Sequence, residues 1–221
     1  MFNTIENVLN AAEIAELRAI AARATFIDGR ASAPGASVKN NLVMGDRALF
    51  DRSAQLVADA LYRSEDFRVF ALPKAMMPPV LTRYGTGMYY GTHTDAAFMS
   101  YPGRLLRSDL SCTVFLSDPD SYEGGELVAR FGNAELRLRA PAGAAILYPS
   151  TTLHRVEEVT RGERLVALTF IQSQVADSEN RETLYELGEI AAITAEKMDV
   201  ETYTRLLRVQ QNLLRKWGDP D

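Results

Sequence analysis

Three regions with different hydrophobic periodicity divide the chain. Near the N-terminus, apolar residues recur at helical intervals behind Asn10, and Asn10 and Glu13 have the spacing of a capping box, which predicts a helix over about 11–24. A second helix is predicted behind Asp46, because apolar residues again fall on one face. These residues are Phe50, Ala54, Val57 and Leu61. The stretch 28–45, rich in small and polar residues, is predicted to be a loop or irregular strands.

The middle of the chain, from about Val69 to Ser173, has a different pattern. Short apolar or alternating runs are broken by turn signals such as Pro78-Pro79, Gly124-Gly125 and Arg161-Gly162. This is typical of an antiparallel barrel or a double-sheet jelly roll.

Helical periodicity returns after Ser173 and predicts two C-terminal helices, the last closed by Gly218 and Pro220. The predicted class is therefore mainly β with flanking helices (α+β), with a jelly-roll core. We expect residues 1–175 to form the main domain and residues 176–221 a C-terminal helical extension.

The amino-acid composition limits the classes of function that fit the chain. The chain has 221 residues, 47% of them hydrophobic, which is enough for a well-buried core. A formal net charge of -5 disfavours a surface built to bind nucleic acid or anionic lipid. Cys112 is the only cysteine and lies in an apolar run, so we expect a buried, inert thiol and no cysteine-built metal site.

The N-terminal segment indicates in which cellular compartment the protein is expected. It carries Glu6, Glu13 and Glu16 before its first positive residue, Arg18, and it lacks the apolar run of a signal peptide. No segment approaches the roughly 20 apolar residues that span a bilayer. We therefore expect a soluble, cytoplasmic protein that does not contact membranes.

The two histidines of the chain carry the candidate chemistry. His93 and Asp95 form a His-x-Asp triplet in a segment predicted to be extended, where side chains two residues apart project to the same face. His154 directly follows the strand-like run 144–148, which a closed β fold can return beside the first strand. Two imidazoles and one carboxylate on one face of an ion leave positions open, as in non-haem Fe(II) oxygenases.

A 2-oxo acid can fill two of those open positions, and its far carboxylate then needs a cation. Arg164 follows an apparent hairpin turn after His154 and can make a bidentate pair with a carboxylate. Arg161 competes for the same role. Each piece also has a structural interpretation, because His-x-Asp triplets arise by chance, single histidines are often structural and arginines beside turns are often solvated.

Short motifs are spread over most of the chain. They are Asp28-Gly29-Arg30, Val38-Lys39-Asn40-Asn41, Arg83-Tyr84, Gly85-x-Gly87, His93-x-Asp95, Phe115-Leu116-Ser117-Asp118-Pro119, Tyr122-x-Gly124-Gly125-Glu126-Leu127, Pro141-Ala142-Gly143, Leu147-Tyr148-Pro149-Ser150, Leu153-His154-Arg155-Val156, Thr160-Arg161-Gly162 and Ile171-Gln172-Ser173. With these motifs the chain resembles the prolyl/lysyl hydroxylase-like 2-oxoglutarate dioxygenases. More narrowly, it resembles the PKHD-type Fe(II)-dependent hydroxylases of the PiuC/YbiX group.

The resemblance implies a double-stranded β-helix with Fe(II) held by His93, Asp95 and His154. It implies that Arg164, helped by Tyr84, binds the far carboxylate of 2-oxoglutarate, although a tyrosine at a strand end is also an ordinary core residue. O2 would be the second co-substrate and L-ascorbate an external reductant. The primary substrate would be a small molecule or a peptidyl residue, and the group suggests a link to iron uptake or siderophore chemistry.

Several alternatives stay open from the sequence. The pocket could belong to a non-catalytic sensor of a metal or organic acid, to a zinc hydrolase, or to a prolyl hydroxylase that acts on a protein. The Lys39-Asn40-Asn41 group fits either a substrate entrance or an ordinary loop, and the segment between Arg104 and Arg107 fits either a lid or a surface loop. Gly124-Gly125 is assigned to a turn. The apolar stripes of the last two helices fit packing on the barrel or a homodimer.

Overall fold

A computed structural model describes residues 1–32, 38–101 and 103–219, and these ranges contain helices at both ends of the chain and strands between them. The helices are α1 (Ala11–Arg23), α2 (Arg47–Arg63), α3 (Glu65–Ala71), α4 (Ser178–Thr194) and α5 (Val200–Trp217). Short 3-10 turns lie at Gly29–Ser32 and Pro119–Ser121.

Strands fill most of the middle region. They are β1 (Asn3–Ile5), β2 (Phe26–Asp28), β3 (Lys39–Asn40), β4 (Leu42–Met44), β5 (Pro73–Met76), β6 (Val80–Tyr84), β7 (Tyr89–His93), β8 (Phe98–Tyr101), β9 (Arg104–Arg107), β10 (Leu110–Phe115), β11 (Glu123–Gly124), β12 (Leu127–Phe131), β13 (Ala134–Leu138), β14 (Ala145–Pro149), β15 (Leu153–Val156), β16 (Val159–Arg161) and β17 (Arg164–Ser173).

Two antiparallel sheets form the core, as expected for a jelly roll. The large sheet has eight strands, in the order β1-β14-β10-β17-β6-β4-β2 with β5 also paired to β17. The small sheet has five strands in the order β13-β12-β15-β7-β3. The pairs β8-β9 and β11-β16 stand apart as two-stranded ribbons.

The large sheet is apolar on one face and mixed on the other, because successive side chains of a strand point to opposite sides. Along β10, Cys112 and Val114 pack in the apolar core under the N-terminal helices. Ser111 and Thr113 lie on the other face and line a cavity between the sheets. Cys112 is 1% exposed, which confirms the prediction of a buried sulfur, and this burial raises the pKa of its thiol.

The predicted N-terminal helices are confirmed with their caps. In α1, the Asn10 side chain accepts a hydrogen bond from the Glu13 amide (3.0 Å), and the Glu13 carboxylate accepts one from the Asn10 amide (2.9 Å). The Asp46 carboxylate caps α2 in the predicted position. These helices bury one face on the large sheet, which leaves the sheet's other face free to form a site.

Two details differ from the sequence prediction. In the middle of the chain the strands start at Pro73 and not at Val69, because Val69 lies in the short helix α3, which was not predicted. The turn at 160–163 does not join a hairpin: β16 pairs with β11, whereas β17 pairs with β10 and β6. That turn carries the chain from a separate ribbon into the large sheet, so Arg164 enters the interior.

The two predicted C-terminal helices are present and pack on each other. Gly218 follows α5 as expected, and Pro220 lies outside the described residues. No helix within the described ranges is long and apolar enough to cross a membrane. The domain boundary at 175 and a homodimer through these helices stay predictions.

Candidate metal and co-substrate site

The side chains of His93, Asp95 and His154 meet where β7 and β15 pair in the small sheet. His93 ends β7, and His154 of β15 is its direct partner in the antiparallel register. One Asp95 oxygen lies 3.8 Å from His93 Nε2, the other lies 3.7 Å from His154 Nε2, and one ligand atom from each residue falls within 4.8 Å of the others. With metal–ligand bonds of about 2.1 Å, these separations suit one shared ion.

Both imidazoles are oriented by backbone carbonyls. His93 Nδ1 lies 2.8 Å from the Gly91 oxygen, and His154 Nδ1 lies 2.9 Å from the Thr152 oxygen. Because a carbonyl only accepts, each Nδ1 carries the proton and each Nε2 presents its lone pair. Burial, and next the neighbouring His154, lower the pKa of His93 to about 4, so this ring is neutral at pH 7.

A chain of buried hydroxyls holds the carboxylate. Ser111 of the large sheet donates to Asp95 Oδ2 at 2.5 Å, and it lies 2.8 Å from the Ser150 hydroxyl. Ser150 in turn accepts from Ser108 at 2.8 Å. Outer groups of this kind orient metal ligands and strengthen metal binding.

Aromatic rings pack around the histidines and limit their motion. Tyr90 stacks on His93 with ring centroids 3.6 Å apart, and Tyr148 meets His154 edge-on at 5.0 Å. The imidazole rings are therefore fixed by packing as well as by hydrogen bonds, which suits a preorganised ligand set.

Arg164 lies inside the same cavity, and none of the described residues forms an ion pair with it. It is 1% exposed, and its Nε and Nη1 have no hydrogen-bond partner among the described residues. A buried, unpaired charge is costly unless a ligand satisfies it. Arg161, the competing candidate, lies on the surface and pairs with Glu123 at 2.9 Å.

Tyr84 and Thr82 of β6 line the same cavity as Arg164. Tyr84 is directly opposite Arg164 in the β6-β17 register, and the guanidinium carbon lies 5.0 Å from its ring centroid. Burial raises the pKa of Tyr84, which keeps its hydroxyl protonated and able to donate. Thr82 is fully buried, lines the cavity, and its hydroxyl has no partner among the described residues.

The sequence did not single out Thr82 or Ser111. Each is a hydroxyl residue that alternates with an apolar neighbour in a buried strand, and each lines the cavity. That alternation is the signal in the sequence that could have identified them. The sequence of a single strand does not show which sheet it belongs to or whether that sheet faces a site.

The other residues noted in the sequence lie in different places. Lys39 lines the cavity, whereas the exposed Asn40 donates to the Gly87 carbonyl at 3.0 Å. Asn41 is buried beside Tyr84. Arg104–Arg107 is the strand β9, paired with β8, rather than a loop. Its role as a lid stays a prediction.

The residues of the site surround a single cavity of about 690 Å³ between the two sheets. His93 and His154 belong to the small sheet and Asp95 directly follows its strand β7, whereas Thr82, Tyr84 and Arg164 belong to the large sheet. A ligand that reaches both groups must carry a metal-binding end and an anionic end, which matches a dicarboxylic oxo acid.

A family model described as the 2OG-Fe(II) oxygenase superfamily matches residues 79–172, the range that contains all five predicted site residues. The fold agrees with this class. A prolyl-4-hydroxylase from Pseudomonas putida superposes with a TM-score of 0.53 at 18% identity and covers 78% of this chain and 92% of its own. A 2OG-Fe(II) oxygenase family oxidoreductase from Burkholderia pseudomallei gives 0.57 at 19% identity, over 76% and 82% of the chains.

The chain belongs to the PKHD-type hydroxylases within this superfamily. A PKHD-type hydroxylase from Sphingopyxis alaskensis is 50% identical over 217 residues, which cover 98% of this chain and 99% of that protein. The protein is therefore a 2-oxoglutarate-dependent hydroxylase that uses Fe(II), and the predicted jelly-roll fold is confirmed.

Proposed function

We propose that the enzyme hydroxylates a C–H bond of an organic substrate while 2-oxoglutarate is decarboxylated to succinate. His93, Asp95 and His154 would hold Fe(II), and Arg164, with Tyr84, would bind the far carboxylate of 2-oxoglutarate. The observation that carries this proposal is the buried Arg164 with unpaired Nε and Nη1 in the same cavity as the triad. A buried permanent cation with two donor atoms that have no hydrogen-bond partner among the described residues favours an anionic ligand.

Bound Fe(II) supplies the chemistry that activates O2. The residues of the protein orient the metal ligands and the co-substrate. Gly91 and Thr152 fix both Nε2 lone pairs toward the cavity, and Ser111 holds one Asp95 oxygen. Arg164 and the protonated Tyr84 hydroxyl would orient the co-substrate.

Thr82 would add a third donor to the co-substrate carboxylate. Its hydroxyl is buried without a partner, and it lies two residues from Tyr84 on the same face of β6. A carboxylate at this point would satisfy the hydroxyl as well as the arginine.

The alternatives are less well supported by the same geometry. A zinc hydrolase would not need the buried Arg164. A non-catalytic sensor would be an exception in a family of hydroxylases. We also propose L-ascorbate as the external reductant and a substrate connected with iron uptake, both from the resemblance to the PiuC/YbiX group. Hydroxylation of a prolyl residue in a protein is the second candidate reaction.

An anaerobic titration with Fe(II) and 2-oxoglutarate tests the site without knowledge of the substrate. The visible charge-transfer band of the chelate should form in the wild type and in Arg161→Ala, and it should be absent in His154→Ala. No band in folded, iron-loaded wild type would refute the site. Hydrolytic activity that persists in the absence of oxygen would instead favour the zinc hydrolase.

A further inference from the structure

Asn41 carries a buried amide that the mechanism described above does not use. It is 3% exposed, and neither its Nδ2 nor its Oδ1 has a hydrogen-bond partner among the described residues. A buried polar group without a partner is costly, so its presence needs a reason. The adjacent Asn40 is exposed and donates to the Gly87 carbonyl at 3.0 Å. The two asparagines are neighbours in sequence but lie in opposite environments.

The chain crosses from the small sheet to the large sheet at Asn41. Strand β3 ends at Asn40 in the small sheet, and β4 begins at Leu42 in the large sheet, where Leu42 pairs with Arg83 of β6. Tyr84 is the next residue of β6, and the crossover brings the amide beside its hydroxyl. Tyr84 lines the cavity, whereas Asn41 does not. An effect of the amide on a ligand must therefore pass through Tyr84.

Close packing fixes the orientation of the amide. A Cβ on Gly29 would overlap with Asn41 Oδ1, so the absence of a side chain at Gly29 makes room for this oxygen. The Gly29 amide also donates to the Asn41 carbonyl at 2.8 Å. With Oδ1 against Gly29, the Nδ2 end of the amide is left for Tyr84. Burial raises the pKa of Tyr84, and Arg164 and Asn41 oppose that rise, as a donor to the phenolic oxygen does.

We infer that Asn41 is a positioning residue that directs the proton of the Tyr84 hydroxyl toward the far carboxylate of 2-oxoglutarate. Its Nδ2 would donate to the Tyr84 oxygen once the carboxylate has drawn the hydroxyl into line. A hydroxyl that accepts at its oxygen still has its own proton to give, so Tyr84 would donate to the co-substrate. Donation to the oxygen also polarises the O–H bond and strengthens its hydrogen bond to the carboxylate. The inference rests on the proposed function, because it assumes that 2-oxoglutarate binds at Arg164 and Tyr84.

A double-mutant cycle tests the inference. Protein saturated with Fe(II) is titrated with 2-oxoglutarate without oxygen, and the charge-transfer band is recorded for the wild type, Asn41→Leu, Tyr84→Phe and the double variant. Leucine keeps the branched shape of asparagine and removes its donor. Asn41→Leu should bind 2-oxoglutarate about tenfold more weakly, the scale for one hydrogen bond. The same substitution should have no effect in the Tyr84→Phe protein, because the phenolic oxygen is gone.

An analogue of the co-substrate separates positioning from a general structural effect. 2-Oxopentanoate carries the same chelating end as 2-oxoglutarate but has a methyl group in place of the far carboxylate. Asn41→Leu should bind it as the wild type does. Asn41→Ala is the second variant in case the leucine variant does not fold. Asn40→Ala is its matched control, with wild-type binding of both acids expected.

Wild-type affinity for 2-oxoglutarate in Asn41→Leu, or a loss that is equal with and without the Tyr84 hydroxyl, would overturn the inference. An equal loss for 2-oxopentanoate would also overturn it, because the amide would then support the scaffold and not the carboxylate. A wild type that forms no charge-transfer band would instead refute the proposed function, and this inference with it. The band of the wild type thus separates the two failures.

Discussion

Arg164 and Tyr84 face each other in register on neighbouring strands, with the guanidinium carbon 5.0 Å from the tyrosine ring centroid and both side chains 1% exposed. The aromatic face stabilises the cation but accepts none of its hydrogen bonds. The guanidinium is therefore fixed in position while its Nε and Nη1 stay available to a ligand.

Replacement of Arg164 should act on the co-substrate more than on the metal. We expect Arg164→Ala to weaken 2-oxoglutarate binding roughly 100-fold, the scale for loss of one member of a buried charge pair. Fe(II) affinity should change little, because the triad lies on the other sheet. Titration of the charge-transfer band against 2-oxoglutarate measures the first quantity and calorimetry with metal alone the second. Arg161→Ala is the control, and equal damage by both variants would contradict the assignment.

Thr82→Val should separate ligand binding from stability. The valine is close in shape to threonine and removes only the unpartnered hydroxyl. We expect 2-oxoglutarate to bind about tenfold more weakly, because one donor to a charged acceptor is lost. The free energy of unfolding of the ligand-free protein should stay the same or rise by about 1 kcal/mol, since a buried unsatisfied group disappears. Chemical denaturation checks the stability, and a large loss would show that the hydroxyl has a structural role.

Ser111→Ala should lower metal affinity. Without the 2.5 Å hydrogen bond to Oδ2, the Asp95 carboxylate can rotate, and losses of about tenfold are typical when such a group is removed. Ser108→Ala is the matched comparison, because Ser108 bonds to Ser150 and not to Asp95. Metal titrations of both variants, followed by calorimetry, should show the larger effect for Ser111→Ala. The reverse order would argue that the hydroxyl chain does not act through the carboxylate.

Gly125→Ala should displace Arg164 and so weaken co-substrate binding. Gly125 has φ +69°, and a Cβ there would lie 2.9 Å from Val159 Cγ2 and 3.1 Å from Arg164 Cδ. Gly132 has φ +59° with nothing within 4 Å of a Cβ, so Gly132→Ala carries the backbone strain alone, about 1–2 kcal/mol. Thermal unfolding should show a loss in both variants, and weaker 2-oxoglutarate binding only in Gly125→Ala. Equal binding in the two variants would contradict the packing argument.

Much of this arrangement could be predicted from the sequence, because local rules governed it. The capping box at Asn10 and Glu13 predicted α1, and the His-x-Asp spacing predicted a shared face for His93 and Asp95. The choice of Arg164 over Arg161 could not come from local rules. The two arginines flank one turn, and only the pairing of β17 inside the large sheet buries one and exposes the other.

The same limit applies to Thr82 and Ser111. A single hydroxyl residue in a strand has no evident function until the facing sheet is known, because its role depends on the groups that lie opposite it. The ribbon from Phe98 to Arg107 was also missed as strand structure. Its strands pair only with each other, and two short strands carry little of the periodicity that identifies longer ones.

The Ser111 hydroxyl crosses from one sheet of the jelly roll to the other to reach Asp95. His93 and His154 stand on the small sheet, and Arg164 stands on the large one. A co-substrate that binds the metal and also pairs with Arg164, as proposed, has to reach from one sheet to the other. We therefore expect the separation of the two sheets to select the chain length of the oxo acid, so that a shorter homologue binds more weakly than 2-oxoglutarate.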